Sequence, residues 1–157
     1  MHQVSQVLDN EHRSSLDLLG RVEQAFVRAH SAASFTPLAP AFIRLIEHEI
    51  SRHFEFEEGE LFTRMTEAGE GDIAWLLRDE HDAIRAVAAE LLPLARTAVA
   101  GTLDERGWGE LKRGVLEMVE RQVAHIQKET MALLPMLDDH LLDDDTDSAL
   151  ALAYSSS

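Results

Sequence analysis

Apolar side chains recur at intervals of three and four residues along almost the whole chain. Because an α-helix completes a turn in about 3.6 residues, this spacing places them on one face of a helix. Four such stretches are present, running from residue 4 to the low thirties and over 42–65, 73–92 and 111–133. No stretch shows the sustained alternation of β-branched residues that is typical of a strand. The pattern therefore predicts an all-α fold.

Short segments rich in proline, glycine and small polar residues separate the helical stretches. The first break covers residues 34–40 and contains two prolines, the second covers 69–72 with Asp72 as the expected helix cap, and the third covers 101–107. The fourth helix is expected to end near Pro135. Four helices of about 25–30 residues joined by short loops predict an up-down-up-down four-helix bundle.

The last part of the chain differs from the rest in charge. No lysine or arginine follows Lys128, and six aspartates lie between positions 138 and 147. We therefore divide the chain into a bundle domain, residues 1–137, and an acidic C-terminal tail, residues 138–157. Such a charge run predicts a solvated, mostly disordered segment, and a short helix over 148–154 is the alternative.

The balance of charge and the lack of cysteine exclude several classes of function. The chain has 29 acidic against 14 basic residues, a formal net charge of -15, whereas a nucleic-acid-binding protein needs a basic surface. No apolar run is long enough to span a bilayer and the first residues do not resemble a signal peptide, so we expect a cytoplasmic protein without membrane contact. Without cysteine, disulfides, iron–sulfur clusters and thiolate metal sites are excluded, and any metal must be held by nitrogen and oxygen.

Two His-x-x-x-Glu pairs lie on the apolar stripes of the second and fourth helices. His53 precedes Glu57 by four residues, and His125 precedes Glu129 by the same interval. This spacing puts an imidazole and a carboxylate on one helix face, a turn apart, next to apolar neighbours. Burying two such pairs in one core is costly unless a partner compensates their polarity. The two pairs are therefore candidate metal ligands.

His12 and His81 interrupt the apolar stripes of the first and third helices in the same way. In antiparallel neighbours, residues equally distant from a shared loop lie at the same height, and the largest mismatch here is about 6 residues, or roughly 9 Å. All four helices can thus bring a ligand to one layer. Four imidazoles and two carboxylates in that layer suit a pair of first-row metal ions such as iron, zinc, copper or nickel. The alternative is that each histidine is an ordinary core residue.

At these positions the sequence resembles the hemerythrin-like, or HHE cation-binding, family. The resemblance covers roughly residues 4–137, and its motifs occur in the order typical of the family. The matching segments are Asp9-Asn10-Glu11-His12, His53-Phe54-Glu55-Phe56-Glu57-Glu58, Asp79-Glu80-His81 and His125-Ile126-Gln127-Lys128-Glu129. The resemblance implies a helical bundle with a non-haem di-iron centre in its core.

The resemblance also implies a role for each candidate ligand. Two iron ions, joined by an oxo or hydroxo bridge, would share Glu57 and Glu129 as bridging carboxylates. The terminal ligands would be His12, His53, His81 and His125. Glu58 is a second candidate for the first bridge, but it is turned about 100° away from the face of His53, which favours Glu57.

Two departures from the oxygen-carrying hemerythrins bear on function. Those proteins have a second histidine four residues after the one on the third helix, where this chain has Arg85. They also have a longer His-to-Asp spacing on the last helix, where this chain has His125 and Glu129. The chain is thus more similar to family members associated with iron sensing or with nitric-oxide and oxidative stress. The resemblance implies a protein that binds or senses oxygen, nitric oxide or related oxidants.

Several alternatives to this function stay open. The same centre could belong to an enzyme that acts on peroxide or nitric oxide, or to an iron storage or sensing protein. A metal-free bundle that acts through protein contacts is a further alternative. The expected partner is a small diatomic ligand or peroxide, whereas the sequence specifies no protein partner and no oligomeric state.

Arg85 lies four residues after His81 on the same helix face. Its guanidinium could reach toward the open side of the centre and favour an anionic ligand, or it could extend to solvent or pair with a surface acid. Glu49, four residues before His53, is either an acceptor for a ligand imidazole or a surface residue. The other histidines are expected to have no metal role: His2, His30, His48 and His140.

Overall fold

The fold is that of a computed structural model, which describes residues 1–29 and 32–157. The regular structure of these residues is helical, and no strand is present among them. The helices are α1 (Gln3–Ala29), α2 (Ala32–Phe35), α3 (residues 39–67), α4 (Gly71–Val99), α5 (residues 105–141) and α6 (Asp144–Ser155). No helix within those ranges has the length and the apolar character needed to cross a lipid bilayer. The prediction of an all-α fold is confirmed.

Helices α3 and α5 contain π-helical turns, in which one extra residue widens the helix. In α3 these turns are Leu45–Glu49 and Glu57–Leu61, and in α5 they are Glu129–Leu133 and Leu137–Leu141. The amide of Phe62 donates to the carbonyl of Glu57. In the same way, the amide of Leu134 donates to the carbonyl of Glu129. Such turns are frequent at functional sites, and two of them begin at the predicted glutamate ligands.

The second and third breaks lie at the glycines that predicted them, although the third is shorter than predicted because α5 begins at Glu105. The first break also differs, because α3 begins at residue 39, inside the predicted range 34–40. Gly69 and Gly101 have left-handed backbone conformations, with φ of 88° and 77°, which glycine adopts without steric cost. Asp72 is not the cap of α4, because that helix begins one residue earlier and Asp72 lies in its first turn. Asp104 caps α5 and accepts a hydrogen bond of 2.7 Å from the amide of Gly107.

Helix α5 does not end near Pro135, so that prediction is wrong. The helix continues to Leu141 through a second π-helical turn. Pro135 lies at the start of the short segment Leu134–Met136, directly after the first π-helical turn. Proline is tolerated at the start of a helical segment, where the amide that it lacks has no regular partner.

Two apolar cores occupy the molecule, and a polar layer separates them along the long helices. The first core includes Leu19 of α1, Phe42 of α3, Ile84 of α4 and Leu111 of α5. The second core includes Val4 of α1, Leu61 of α3, Leu77 of α4 and Leu133 of α5. These eight side chains are at most 2% exposed. On each of the four helices, the predicted metal ligands lie between residues of the two cores.

The acidic C-terminal segment folds as α6, so the expectation of a mostly disordered tail is wrong. The alternative, a terminal helix, is observed, and it begins four residues earlier than predicted. Asp143 caps α6 by accepting a hydrogen bond of 2.7 Å from the amide of Thr146. Ala151 and Tyr154 are buried, and this apolar contact orders a segment whose charge alone predicts disorder. The division between residues 1–137 and 138–157 stays a prediction.

Aspartates near the C-terminus cap the start of α1. Asp147 accepts hydrogen bonds of 2.8 Å from the amide of Gln3 and 2.9 Å from the amide of Val4. Asp138 accepts a bond of 2.9 Å from the amide of His2. The first amides of a helix have no partner within the helix, so these carboxylates satisfy them. The contacts also hold α6 against α1.

Candidate metal centre

The structure brings all six predicted ligands together in the polar layer. Helices α1 and α4 each supply a histidine, and α3 and α5 each supply a histidine and a glutamate. All six residues are at most 7% exposed: His12, His53, Glu57, His81, His125 and Glu129. Six buried polar side chains in one layer destabilise a core strongly unless something compensates them.

The ligand atoms form two overlapping groups of four. The first group consists of His12, His53, Glu57 and Glu129, and the second group of Glu57, His81, His125 and Glu129. Within each group the atoms all lie within 4.8 Å of one another. Because both carboxylates belong to both groups, the arrangement can hold two adjacent metal ions with shared ligands.

Glu57 presents one carboxylate oxygen to a histidine of each group. Its Oε1 lies 3.2 Å from Nε2 of His81, and its Oε2 lies 3.3 Å from Nε2 of His53. His53 stands one turn earlier on α3, whereas His81 reaches the same carboxylate from α4. A carboxylate with its two oxygens directed toward different groups is suited to bridge two metal ions.

Glu129 has the corresponding position on α5. Its Oε1 lies 3.0 Å from Nε2 of His125, one turn earlier, and 3.3 Å from Nε2 of His12 on α1. Like Glu57, it is the first residue of a π-helical turn. The two His-x-x-x-Glu pairs therefore meet within the layer, each joined by a histidine from another helix.

The inward-facing atoms of this cluster have no hydrogen-bond partner among the residues that the structure describes. They are the Nε2 atoms of the four histidines and the four carboxylate oxygens of Glu57 and Glu129. The nitrogens approach the oxygens to 3.0–3.3 Å, but without the angles that a hydrogen bond needs. Each unpartnered buried group costs about 1–3 kcal/mol. A set of nitrogen and oxygen donors directed at common points fits metal ions of the first transition row.

Protons compete with metal for these nitrogens. Burial lowers the pKa of His125, but the carboxylates of Glu129, Glu57 and Glu80 together raise it more, to about 9. Burial also lowers the pKa of His53, but the carboxylates of Glu57, Glu11 and Glu129 together raise it more, so that it lies well above its usual value. Metal binding must therefore displace protons from the metal-free protein at neutral pH.

The Hemerythrin HHE cation binding domain, a protein family, matches residues 2–137 of the sequence. The chain belongs to this family. No curated protein and no solved structure matches it. The matched residues of the HHE domain contain all six buried ligands, whereas α6 lies beyond them.

Three of the four histidines that are candidate ligands contact an outer glutamate through their second ring nitrogen, Nδ1. The Nδ1–carboxylate distances are 3.0 Å from His53 to Glu11, 2.7 Å from His81 to Glu58 and 2.9 Å from His125 to Glu80. Each glutamate belongs to a different helix from its histidine. Such a carboxylate fixes the ring, directs the lone pair of Nε2 toward a metal and makes the ligand more basic.

Each outer glutamate is itself paired with a basic side chain. Arg52 lies 3.4 Å from Glu11, Arg85 lies 2.7 Å from Glu58, and Lys128 pairs with Glu80. Partial burial raises the pKa of these carboxyl groups, but hydrogen bonds with the histidines and basic side chains lower it more. The carboxylates are therefore ionised at neutral pH and accept hydrogen bonds from the imidazoles.

A repeated Glu-His dipeptide is the sequence signal for two of the outer glutamates. Glu11 and Glu80 directly precede His12 and His81. A residue one position away points about 100° round the helix, and here that direction leads to the histidine of the next helix. Glu58, the second candidate for a bridge, contacts Nδ1 of His81 instead.

Glu49 does not act as an outer acceptor. Its side chain is exposed, and Nδ1 of His53 contacts Glu11 instead. The surface interpretation of Glu49 is therefore the one observed.

A cavity of about 180 Å³ lies between Glu49 and the ligand layer, and its lining includes His12, His53 and Gln122. The cavity therefore borders the first group of candidate ligands.

His12 has no outer carboxylate among the described residues. Both of its ring nitrogens are buried without a hydrogen-bond partner. Its ring lies 5.0 Å from the ring of His53, the other histidine of the first group. The two groups of the HHE domain therefore differ, because both histidines of the second group contact a carboxylate.

Arg85 does not reach the ligand layer. Its guanidinium lies 2.7 Å from Glu58 and 3.2 Å from Asp82, and 5.4 Å from the centre of the Phe54 ring. The alternative of pairing with an acid is therefore the one observed. Through Glu58, Arg85 contributes to the position of His81.

The remaining histidines that the structure describes take no part in the two groups. His48 and His140 are exposed. His2 lies 3.1 Å from the carbonyl of Leu142 through Nε2. His30 lies outside the described residues.

Proposed function

We propose that this HHE-domain protein is a non-haem di-iron protein that binds or senses oxygen, nitric oxide or a related oxidant. The observation that supports the proposal most directly is that two buried carboxylates are shared by two groups of four ligand atoms. In this proposal Glu57 and Glu129 bridge two iron ions. The terminal ligands are His12 and His53 on one ion, and His81 and His125 on the other.

Iron is proposed on the basis of the family and the donor set. Imidazole and carboxylate also bind zinc, copper and nickel, so the choice among these metals rests on the HHE resemblance. Bound iron would supply open coordination positions for a small ligand and electrons to reduce it. The chain would hold each Nε2 toward the metal through the outer glutamates and exclude bulk water from a layer that is at most 7% exposed.

The up-down-up-down four-helix bundle predicted from the sequence is part of the proposal. Along α1 and α4 the residues of the second core precede those of the first, whereas along α3 and α5 the order is reversed. Helix α5 packs against both α1 and α4. The reversal from each long helix to the next supports antiparallel neighbours, which would hold all the ligands at one height.

Metal analysis of the purified protein tests the proposal. After anaerobic loading with Fe(II) and removal of excess metal, we expect two iron ions per chain and a visible absorption that changes on exposure to oxygen or nitric oxide. His53→Ala should lose iron, whereas His48→Ala, an exposed histidine on the same helix, should keep two ions. Iron content below one ion per chain in the unmodified protein would refute the proposal.

A di-iron enzyme that acts on peroxide or nitric oxide is the second candidate function. The number of ligands favours this function, because each group contains four protein ligands. Arg85 stands where oxygen carriers have a further histidine, and it is paired with Glu58. The remaining coordination positions would be available to a substrate that enters through the cavity. Multiple turnovers of peroxide or nitric oxide would support the enzyme, whereas a stable stoichiometric complex would support binding or sensing.

Iron storage or sensing shares the same site and differs in stoichiometry. Uptake that continues far beyond two ions per chain would favour storage. The proposed partner is a small diatomic molecule or peroxide, and the net charge of -15 disfavours nucleic acid. A cytoplasmic location belongs to the proposal as well, and fractionation of the source cells against compartment markers would test it.

A further inference from the structure

Helix α6 lies beside α1 in a fixed register. Asp147 contacts the amides of Gln3 and Val4, and Tyr154 contacts Glu11. Seven residues along α6 thus correspond to about seven residues along α1, which is close to two helical turns. The two helices therefore run parallel, and the register delivers Tyr154 to the height of the ligand layer.

Tyr154 is held by three side chains from two other helices. Its ring lies 4.5 Å from the ring of Phe56, and the guanidinium carbon of Arg52 lies 3.9 Å from the ring centre. Both residues belong to α3, one turn apart. The phenolic hydroxyl donates a hydrogen bond of 2.6 Å to Oε1 of Glu11 on α1. The position of the hydroxyl is therefore defined by packing on one side and by hydrogen bonding on the other.

The same oxygen of Glu11 also accepts a hydrogen bond from His53. Oε1 lies 3.0 Å from Nδ1 of His53, so the phenol and the imidazole converge on one atom. Because a carboxylate only accepts, His53 donates from Nδ1, which leaves Nε2 as the ring nitrogen that can bind a metal. Nε2 in turn lies 3.3 Å from Glu57. A continuous line of contacts thus runs from Tyr154 through Glu11 and His53 to a shared carboxylate.

Tyr154 gives Glu11 a support that the other outer glutamates do not have in the described structure. Glu58 and Glu80 are paired with the basic side chains Arg85 and Lys128. The side chain of Glu11 is 30% exposed, more than either of theirs, and its nearest guanidinium lies 3.4 Å away. A partly exposed carboxylate with a long ion pair can rotate, and the short bond from Tyr154 opposes that rotation.

We propose that Tyr154 is a positioning residue for His53 and that α6 is a working part of the metal centre. The inference rests on the proposed function only in that the six buried ligands bind metal. It extends the centre beyond residues 2–137, over which the family matches, to the end of the chain. The consequence is specific to the first group of ligands, since no ligand of the second group contacts an outer glutamate bonded to Tyr154.

The test compares two variants of the full chain, each of which lacks one hydroxyl of the unmodified protein. Tyr154→Phe keeps the ring against Phe56 and Arg52 but removes the bond to Glu11. Ser155→Ala removes the hydroxyl of the next residue, which donates to the carbonyl of Ala151 within α6. Zn(II) serves as the probe because it is diamagnetic and accepts imidazole and carboxylate. Calorimetric titration gives the affinity of each ion, and ¹H–¹⁵N NMR of the loaded protein gives the Nδ1–H signals.

We expect Tyr154→Phe to weaken one of the two Zn(II)-binding steps by roughly three- to tenfold, less than the 10–100-fold typical of losing a direct outer-shell partner. The Nδ1–H signal of His53 should shift and exchange faster with water, while those of His81 and His125 stay in place. Ser155→Ala should match the unmodified protein. Glu11→Gln, which leaves Tyr154 in place, should weaken the same step more.

Three results would overturn the inference. They are unchanged Zn(II) affinity in Tyr154→Phe, an unchanged His53 signal, and an equal loss in Ser155→Ala, which would indicate a general effect of α6. A failure of the unmodified protein to bind either Zn(II) or Fe(II) would instead overturn the proposed function. Far-ultraviolet circular dichroism of each variant confirms that the helices are retained.

Discussion

Phe54 lies flat against His81, with ring centroids 3.7 Å apart and ring planes 4° from parallel. Phe54 is 3% exposed and directly follows the candidate ligand His53 in α3. Its ring confines one face of the imidazole, while Glu58 binds Nδ1 at the edge. The orientation of His81 therefore depends on packing as well as on hydrogen bonding.

Replacing Phe54 should therefore affect metal binding as well as stability. Phe54→Ala should destabilise the metal-free protein by about 3–5 kcal/mol, the usual range for a buried phenylalanine. Phe54→Leu should cost less stability but still weaken binding at the His81 position, because no flat ring faces the imidazole. Urea unfolding and Zn(II) titration measure the two effects. Phe42→Leu, in the first core, should lower stability and leave Zn(II) affinity unchanged; equal affinity in both leucine variants would contradict the prediction.

The shared carboxylates should be needed for both metal ions. Glu129→Ala should lose the second ion together with the first, since a bridging ligand serves both. Glu58→Ala should retain two ions with affinity lowered by about 10–100-fold, because Glu58 acts on His81 from outside the cluster. Metal content per chain by atomic emission separates the two outcomes. If Glu129→Ala holds one ion tightly, the carboxylate is not a bridge.

The metal-free protein should lose stability as the pH rises from about 6.5 toward 9. The pKa of His125 is about 9 in the folded protein, against an ordinary histidine value of 6.5. Its protonated form therefore stabilises the fold fully below pH 6.5, and this contribution of up to about 3 kcal/mol is lost as the pH passes through 9. Urea unfolding in the presence of a chelator, at pH values from 6 to 10, measures the effect. His125→Gln should flatten the profile over this interval.

The same pKa predicts that metal uptake releases protons at neutral pH. Calorimetric titrations with Zn(II) in buffers of different ionisation enthalpy count the released protons. We expect at least one proton per pair of ions at pH 7, and fewer at pH 9, where His125 is already half neutral. Equal proton release at pH 7 and pH 9 would contradict the raised pKa of His125.

The two metal positions should fill one after the other. Both histidines of the second group contact an outer carboxylate, whereas His12 of the first group contacts none that the structure describes. Because these carboxylates make imidazoles more basic, the second group should bind the first ion more tightly. Titration with Co(II), followed by its visible spectrum, should show two steps. Glu80→Gln should bring the steps closer together, and a single step in the unmodified protein would contradict the prediction.

The six ligands could be predicted because their signal lies within single helices. A histidine four residues before a glutamate, both on an apolar stripe, marks a buried polar pair without knowledge of its neighbours. The same applies to His12 and His81, each of which replaces an apolar residue in a regular pattern. The structure places all of them in one layer, and their role as metal ligands stays a proposal.

The outer glutamates and the π-helical turns could not be predicted in the same way. The role of Glu11 depends on how α1 is rotated relative to α3, and one helix pattern contains no information on that angle. The π-helical turn at Glu57 is a shift of backbone hydrogen bonds with no characteristic local sequence. Helix α6 is hard to predict because its aspartates suggest a solvated segment, whereas in the structure Asp147 contacts the start of α1 and Ala151 and Tyr154 are buried.

The ligand layer divides the interior of the domain into two apolar regions, and each of the four long helices contributes residues to both. Without metal, six polar side chains give the two regions little apolar contact with each other, so we expect the metal-free protein to unfold less cooperatively. Two metal ions bound across the layer would tie four helices together at their middle and make unfolding a single cooperative event. Gain or loss of metal would then be transmitted along the helices to both ends of the molecule as a change in rigidity.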